Sequence, residues 1–176
     1  MRREIENSVV VITGASSGIG RATAVAFAEA GARVVGIARS ADLLDELAEE
    51  CSRSGGECVG LAADVTDEEP LQGIVGEVVD RFGRIDTWIN NAGVLALGRI
   101  EDVPMRVHKT LIETNLIGYI NCARAVIPQF REQGDGVLIM ISSLFGKIDA
   151  PLWSPYVASK FGIAGLAESL RMELAD

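Results

Sequence analysis

The stretch "VVVITGASSGIGRATAVAFAEAG" (9–31) decides the fold. It begins with a short β-branched apolar run, breaks at three glycines, and continues with apolar residues at helical spacing. Gly31 is placed to stop that helix. Gly14, Gly18 and Gly20 form a GxxxGxG turn between strand and helix. Glycine there lets the chain turn tightly, lets backbone approach a ligand, and lets helix pack closely on strand. The free N–H groups and the helix dipole then favour a phosphate, so Gly14, Ser16, Ser17, Gly18, Ile19 and Gly20 become candidate dinucleotide-binding residues.

Outward from this unit, strands and helices alternate to the end of the chain. Strands are expected at "RVVGIA" (33–38), "ECVGLAA" (57–63), "IDTWIN" (85–90) and "GVLIMIS" (136–142). A helix over 40–56 opens at Ser40 and closes at paired glycines. In the next helix Thr66 and Glu69 read as a capping box, Ile74, Val75, Val78, Val79 and Phe82 form the buried stripe, and Gly83 is the stop. A long helix fills roughly 103–130, with Pro128 expected to kink or end it. Ser154 caps a last helix, with Pro155 at its first position. This order implies an α/β domain of βαβ units, with a parallel sheet covered on both faces. The 176 residues suit one domain, 1–176.

Composition narrows the partners. A hydrophobic share of 48% and a charged share of 23% suit a globular protein, and a net charge of -9 disfavours nucleic acid and anionic membrane surfaces. No apolar run approaches a membrane span, and the first residues lack a signal-peptide design, so a cytoplasmic protein is expected. Cys51, Cys58 and Cys122 show no metal-ligand spacing and read as reduced thiols. His108, the single histidine, lies in a polar stretch and reads as a solvated helix residue.

Two rival readings use the same turn. A Walker A loop needs Gly-Lys-Ser/Thr, which is absent. "GASSG" (14–18) fits a hydrolase nucleophile elbow with Ser16 as nucleophile, but the only candidate base is His108. At the end of the second strand, where an acidic residue would bind the ribose of NAD, stands Ala38 followed by Arg39. A guanidinium there suits a 2′-phosphate, so NADP is expected rather than NAD.

The motifs "TGASSGIG" (13–20), "ADV" (63–65), "NNAG" (90–93), Asn115, Ser143 and "YVASK" (156–160) together resemble the short-chain dehydrogenase/reductase family, in its classical branch. They span nearly the whole chain. The resemblance implies a Rossmann-type doubly wound parallel sheet of order 3-2-1-4-5. It also implies a nicotinamide-dependent oxidoreduction between a secondary alcohol and a ketone, with a small-molecule substrate and a homodimer or homotetramer. Asp64 and Val65 would border the adenine, and Asn91, Ala92 and Gly93 would line the cofactor cleft. Ser143, thirteen residues before the tyrosine, would polarise the carbonyl, leaving a capping or turn role to Ser142. Asn115 would steady a water beside the lysine, its alternative being a polar residue bonded within its own helix.

Tyr156 and Lys160 stand four apart in a helix otherwise rich in small and aliphatic residues, which places both on one face. Free tyrosine, with a pKa of about 10, gives up its proton reluctantly near neutrality. An ammonium roughly 6 Å away favours the phenolate by on the order of 2.8 kcal/mol at an effective dielectric of about 20. Tyr156 is therefore the candidate general acid/base, and Lys160 its electrostatic partner and, by resemblance, a ligand of the nicotinamide ribose. A non-catalytic dinucleotide-binding module, acting as redox sensor or scaffold, is the alternative.

Family members usually run on past the active-site helix, while this sequence ends at "RMELAD" (171–176). "GVLIMIS" is apolar on both faces, which suits an interior strand, yet nothing later pairs with its free edge. The expectation is a sequence missing its C-terminal part, with the cofactor half nearly intact.

Overall fold

The computed structural model describes residues 4–175. Five parallel strands, β1 (Val9–Thr13), β2 (Arg33–Ala38), β3 (Glu57–Ala62), β4 (Thr87–Asn90) and β5 (Val137–Met140), form one sheet of order β3-β2-β1-β4-β5. β1 lies at its centre, with Val10 opposite both Val34 and Thr87. Successive residues of β1 face opposite sides of the sheet, and each side finds its own helices. Val10 and Ile12 pack with Ala24 and Ala28 of α1 (Gly18–Glu29) and Leu44 and Leu47 of α2 (Ala41–Arg53). Val9 and Val11 pack with Leu71 and Val78 of α3 (Glu68–Phe82) and Val126 and Phe130 of α5 (Gly118–Gln133). This is the doubly wound, Rossmann-type arrangement, in which reversal of strand order beside β1 opens a crevice at the carboxyl edge.

Helix ends follow local chemistry in part. Ser40 caps α2 by accepting from the Leu43 N–H at 3.4 Å. The expected capping box at Thr66 and Glu69 does not form. Asp67 occupies the cap position without a side-chain bond, and the Thr66 hydroxyl donates to Asp64 instead, at 2.9 Å. At the last helix, α6 (Ser154–Glu173), Trp153 rather than Ser154 occupies the cap position.

The long helix of the sequence pattern is three pieces. α4 (Met105–Ile112) runs into a single π-helical turn, Glu113–Ile117, before α5 begins. Pro128 does not end α5, which continues to Gln133. The break sits instead at Asn115, where the wider turn carries its side chain to tertiary partners. His108 also departs from expectation. It is buried, its Nε2 lies 3.2 Å from the Ile100 carbonyl, and its Nδ1 is buried without a partner among the described residues.

β5 lies at the edge, with Ile139 exposed, so its apolar pattern is not matched by an interior position among the described residues. No helix among those residues is long and apolar enough to cross a membrane.

Candidate functional site: a glycine-lined cleft beside a tyrosine–lysine helix

The cleft begins where β1 meets α1. The Thr13 hydroxyl accepts from the backbone N–H groups of Asn91 and Ala92, at 3.0 and 3.1 Å, and lies 3.4 Å from the Ile89 carbonyl. The Asn91 amide donates back to the Thr13 carbonyl at 3.0 Å. The ends of β1 and β4 are thus tied by one hydroxyl and one amide. Gly14 has φ +67°, and a Cβ there would sit 2.8 Å from the Ala92 Cα. A Cβ on Gly20 would strike the Gly14 carbonyl and the Asn91 amide, so Gly20 is buried and serves packing rather than lining. Gly18, at φ +54°, faces open space. Ser17 caps α1 without a side-chain bond, which leaves the first N–H groups of that helix uncapped by their own residue.

The resulting cleft has a volume of about 350 Å³. It is lined by Gly14, Ser16, Ser17, Gly18, Ile19 and Arg39. Asp64, Val65, Asn91, Ala92 and Gly93 line it as well. Arg39 is 76% exposed, with its guanidinium 3.9 Å from the Asp64 carboxylate. That carboxylate is oriented by the N–H and hydroxyl of Thr66, at 3.0 and 2.9 Å. Val65 is buried against Gly118, where a Cβ would come within 2.7 Å of it, and the Asn121 amide holds its carbonyl at 3.1 Å.

Tyr156, Lys160 and Ser143 lie outside this lining and adjoin it through Asn115. The Asn115 side chain is fully buried: it accepts from the Val94 N–H at 2.7 Å and donates to the Val94 carbonyl at 2.9 Å. Its amide also reaches the Ser159 hydroxyl at 3.3 Å. It therefore bonds across to two other segments, not within its own helix. Val94 lines the cleft, and Ser159 adjoins Lys160, so one side chain links the two halves of the site.

Lys160 is buried, and its Nζ donates to the Ile141 carbonyl at 2.9 Å. The ammonium lies 5.6 Å from the Tyr156 ring centroid and 5.7 Å from that of Tyr119. Desolvation by burial pulls the Lys160 pKa below the ordinary lysine value. The carbonyl and the two ring faces act in the opposite sense, since each is a site for positive charge. Tyr119 donates to the same Ile141 carbonyl at 3.1 Å, and burial pushes its phenol pKa well up. Tyr156 and Lys160 thus face the same way, as their spacing requires.

The two serines exchange one expected trait. Ser143, not Ser142, caps the short turn Leu144–Gly146, accepting from the Phe145 N–H at 3.2 Å. Ser142 instead donates to the Lys160 carbonyl at 3.2 Å. A hydroxyl that accepts one bond still has its proton to donate, so Ser143 keeps that capacity.

Several site residues carry no signal that the motifs alone expose. Thr114 lines the cleft, and the Ile141 carbonyl is a backbone group that no sequence pattern marks. Thr13 opens the recognised glycine motif and Val94 directly follows "NNAG", so both could have been found from the sequence.

The family profile described as "short chain dehydrogenase" matches residues 8–176. The uncharacterized oxidoreductase YxnA of Bacillus subtilis is 40% identical over 173 residues, covering 98% of this chain and 49% of that protein. Dehydrogenase/reductase SDR family member 7B of Bos taurus is 38% identical, covering 99% of this chain and 55% of its own length. The chain therefore spans about half the length of these curated relatives. A crystal structure of NAD+-bound xylitol dehydrogenase superposes with a TM-score of 0.93 at 30% identity, covering 98% of this chain and 67% of that one. The chain belongs to the short-chain dehydrogenase/reductase family of oxidoreductases.

Proposed function

We propose that this chain is the NADP-binding, catalytic domain of an oxidoreductase that interconverts a secondary alcohol and a ketone. The observation that carries the reading is the placement of the Lys160 ammonium 5.6 Å from the Tyr156 ring, on a helix tied to the cleft through Asn115.

The cleft fits a dinucleotide. Open space above Gly18 and the uncapped N-terminus of α1 suit a pyrophosphate, and the acid-free end of β2 leaves Arg39 for a 2′-phosphate. A relative's structure holds NAD+, so the family fold alone does not choose between the cofactors, and Arg39 carries that choice here. Asp64 and Val65 border the adenine end; Asn91, Ala92 and Gly93 line the other. When bound, the nicotinamide supplies or accepts the hydride.

The remaining chemistry is a proton transfer. In the reducing direction Tyr156 gives its phenol proton to the carbonyl oxygen as that oxygen gains charge; in the oxidising direction the phenolate takes it back. Lys160 stabilises the charge left on the phenol and offers donors to a ribose hydroxyl. Ser143 donates a hydrogen bond to the substrate oxygen and keeps its proton, while the Phe145 N–H holds the Ser143 oxygen. Asn115 keeps the Val94 segment and the Tyr156/Lys160 helix in register, and so orients the lysine. Exposed Phe161 and Gly165 on α6 provide a face for a homodimer or homotetramer of a cytoplasmic enzyme; light scattering that found only monomer would remove that part.

The test is oxidation of NADPH against a panel of ketones. At least one member is expected to be reduced with stoichiometric NADPH loss. Tight NADPH binding without reduction of any member would contradict the proposal.

A further inference from the structure

Tyr156 enters its position with little polar help. Among the described residues its hydroxyl makes no hydrogen bond with the protein, and its ring contacts the Lys160 ammonium and two aromatic rings. Phe145 meets it edge-on, with centroids 6.2 Å apart and planes at 84°. Trp153 meets it at 5.8 Å and 61°, and Phe145 and Trp153 lie 4.9 Å apart at 31°. The three rings thus close a triangle whose corners come from two segments, the turn after β5 and the cap of α6.

Phe145 does a second thing. Its backbone N–H is the donor that holds the Ser143 hydroxyl oxygen, at 3.2 Å. One residue therefore touches both proposed proton-handling groups, Ser143 through its backbone and Tyr156 through its ring. The turn that carries it is seated firmly, since a Cβ on Gly146 would strike the Ser142 hydroxyl and lie 2.9 Å from the Lys160 carbonyl. Trp153 is equally constrained: it follows Leu152, whose φ of +73° is unusual for a branched residue and whose carbonyl accepts from the Gly98 N–H at 3.0 Å.

We infer that Phe145, braced by Trp153, is a positioning residue that sets the Ser143 and Tyr156 hydroxyls at a fixed spacing, so that one substrate oxygen can meet both. This inference rests on the function proposed above. Edge-to-face contact restricts where a ring can tilt, which bulk alone does not, and a misplacement of about 1 Å at a reacting group costs as much as 100-fold in rate. The predicted sensitivity is therefore to aromaticity at position 145, not to size.

Two readouts separate this inference from its premise. The chain has two tyrosines, so fluorotyrosine incorporation gives two fluorine NMR lines, which the Tyr156→Phe variant assigns. In Phe145→Ala and Phe145→Leu the Tyr156 line is expected to move toward the free-amino-acid position and change width; in Phe145→Tyr, whose added tyrosine gives a third line absent from wild type, it should stay. In NADPH-dependent turnover the same Ala and Leu variants should lose roughly 10- to 100-fold in kcat, with KM and NADPH affinity within about twofold, and Phe145→Tyr should recover most of it. An unmoved fluorine line in Phe145→Ala overturns the inference, as does a moved line with unchanged kcat, or full rescue by leucine. Wild-type protein that binds NADPH yet reduces nothing overturns the functional reading instead, and the fluorine lines still decide whether Phe145 fixes the phenol.

Discussion

Arg39 and Lys160 place their charges in opposite surroundings, one in solvent and one buried. Arg39 stands where the end of β2 meets the cleft, mostly in solvent, with only a long contact to Asp64. An exposed pair of that length contributes little to stability, so the guanidinium is available to an incoming phosphate. Arg39→Ala is expected to weaken NADPH binding by about 10-fold or more, leaving NADH binding within about twofold, as read by fluorescence titration. Equal effects on the two nucleotides would remove Arg39 from the 2′-phosphate site. Lys160 presents the opposite case, a charge held in the interior at the expense of stability. Its folded pKa is lowered by burial from the ordinary 10.5. Below the folded value both states hold the proton and the full desolvation cost stands. As the pH rises from there toward 10.5, the unfolded chain binds more protons than the folded one, and stability increases. Lys160→Met, with Tyr119 still donating to Ile141, should therefore melt higher than wild type near neutrality, and its advantage should shrink as the pH is raised. An advantage that grows with pH would contradict this sign.

At the scale of elements, the site is held by side chains that bridge strand ends and helices rather than by the elements themselves. The Thr13 hydroxyl satisfies two backbone N–H groups of the segment after β4. Thr13→Val keeps the shape and leaves both donors without their partner, which should cost about 2–4 kcal/mol in urea unfolding and loosen the cleft. A loss below about 0.5 kcal/mol would show that the β1–β4 tie is unimportant. Such bridges also mark the limit of what the sequence discloses. The strands and most helix boundaries are local matters of apolar period and glycine position, and β2 occupies the residues its pattern names. The π-turn at Glu113–Ile117 is not local: it goes with the buried Asn115 side chain, which meets Val94 and Ser159 from 21 and 44 positions away. His108 fails for the same reason, since its polar neighbours in sequence say nothing of the Ile100 carbonyl that receives it. The Tyr156/Lys160 pair was legible because helical spacing alone puts both on one face. The Ser142/Ser143 roles were only half legible, because which hydroxyl caps a turn depends on where the next N–H points.

Across the whole molecule, the reversal of strand order beside β1 gathers distant motifs at one sheet edge. The glycine turn, the Asp64 turn and the Asn91 segment follow three different strands, yet they line one cleft. The Tyr156/Lys160 helix approaches from the turn after β5 and is joined to that cleft by Asn115. The cleft and the Tyr156/Lys160 pair thereby occupy adjoining but separable parts of the fold. The most direct test is Tyr156→Phe, measured for NADPH affinity by fluorescence and for turnover of any reducible carbonyl. The phenyl ring preserves the contacts with Phe145, Trp153 and Lys160 and removes the hydroxyl. The proton-donor role of Tyr156 implies unchanged NADPH affinity and a fall in kcat of at least about 100-fold. Turnover within about twofold of wild type at equal NADPH affinity would contradict it.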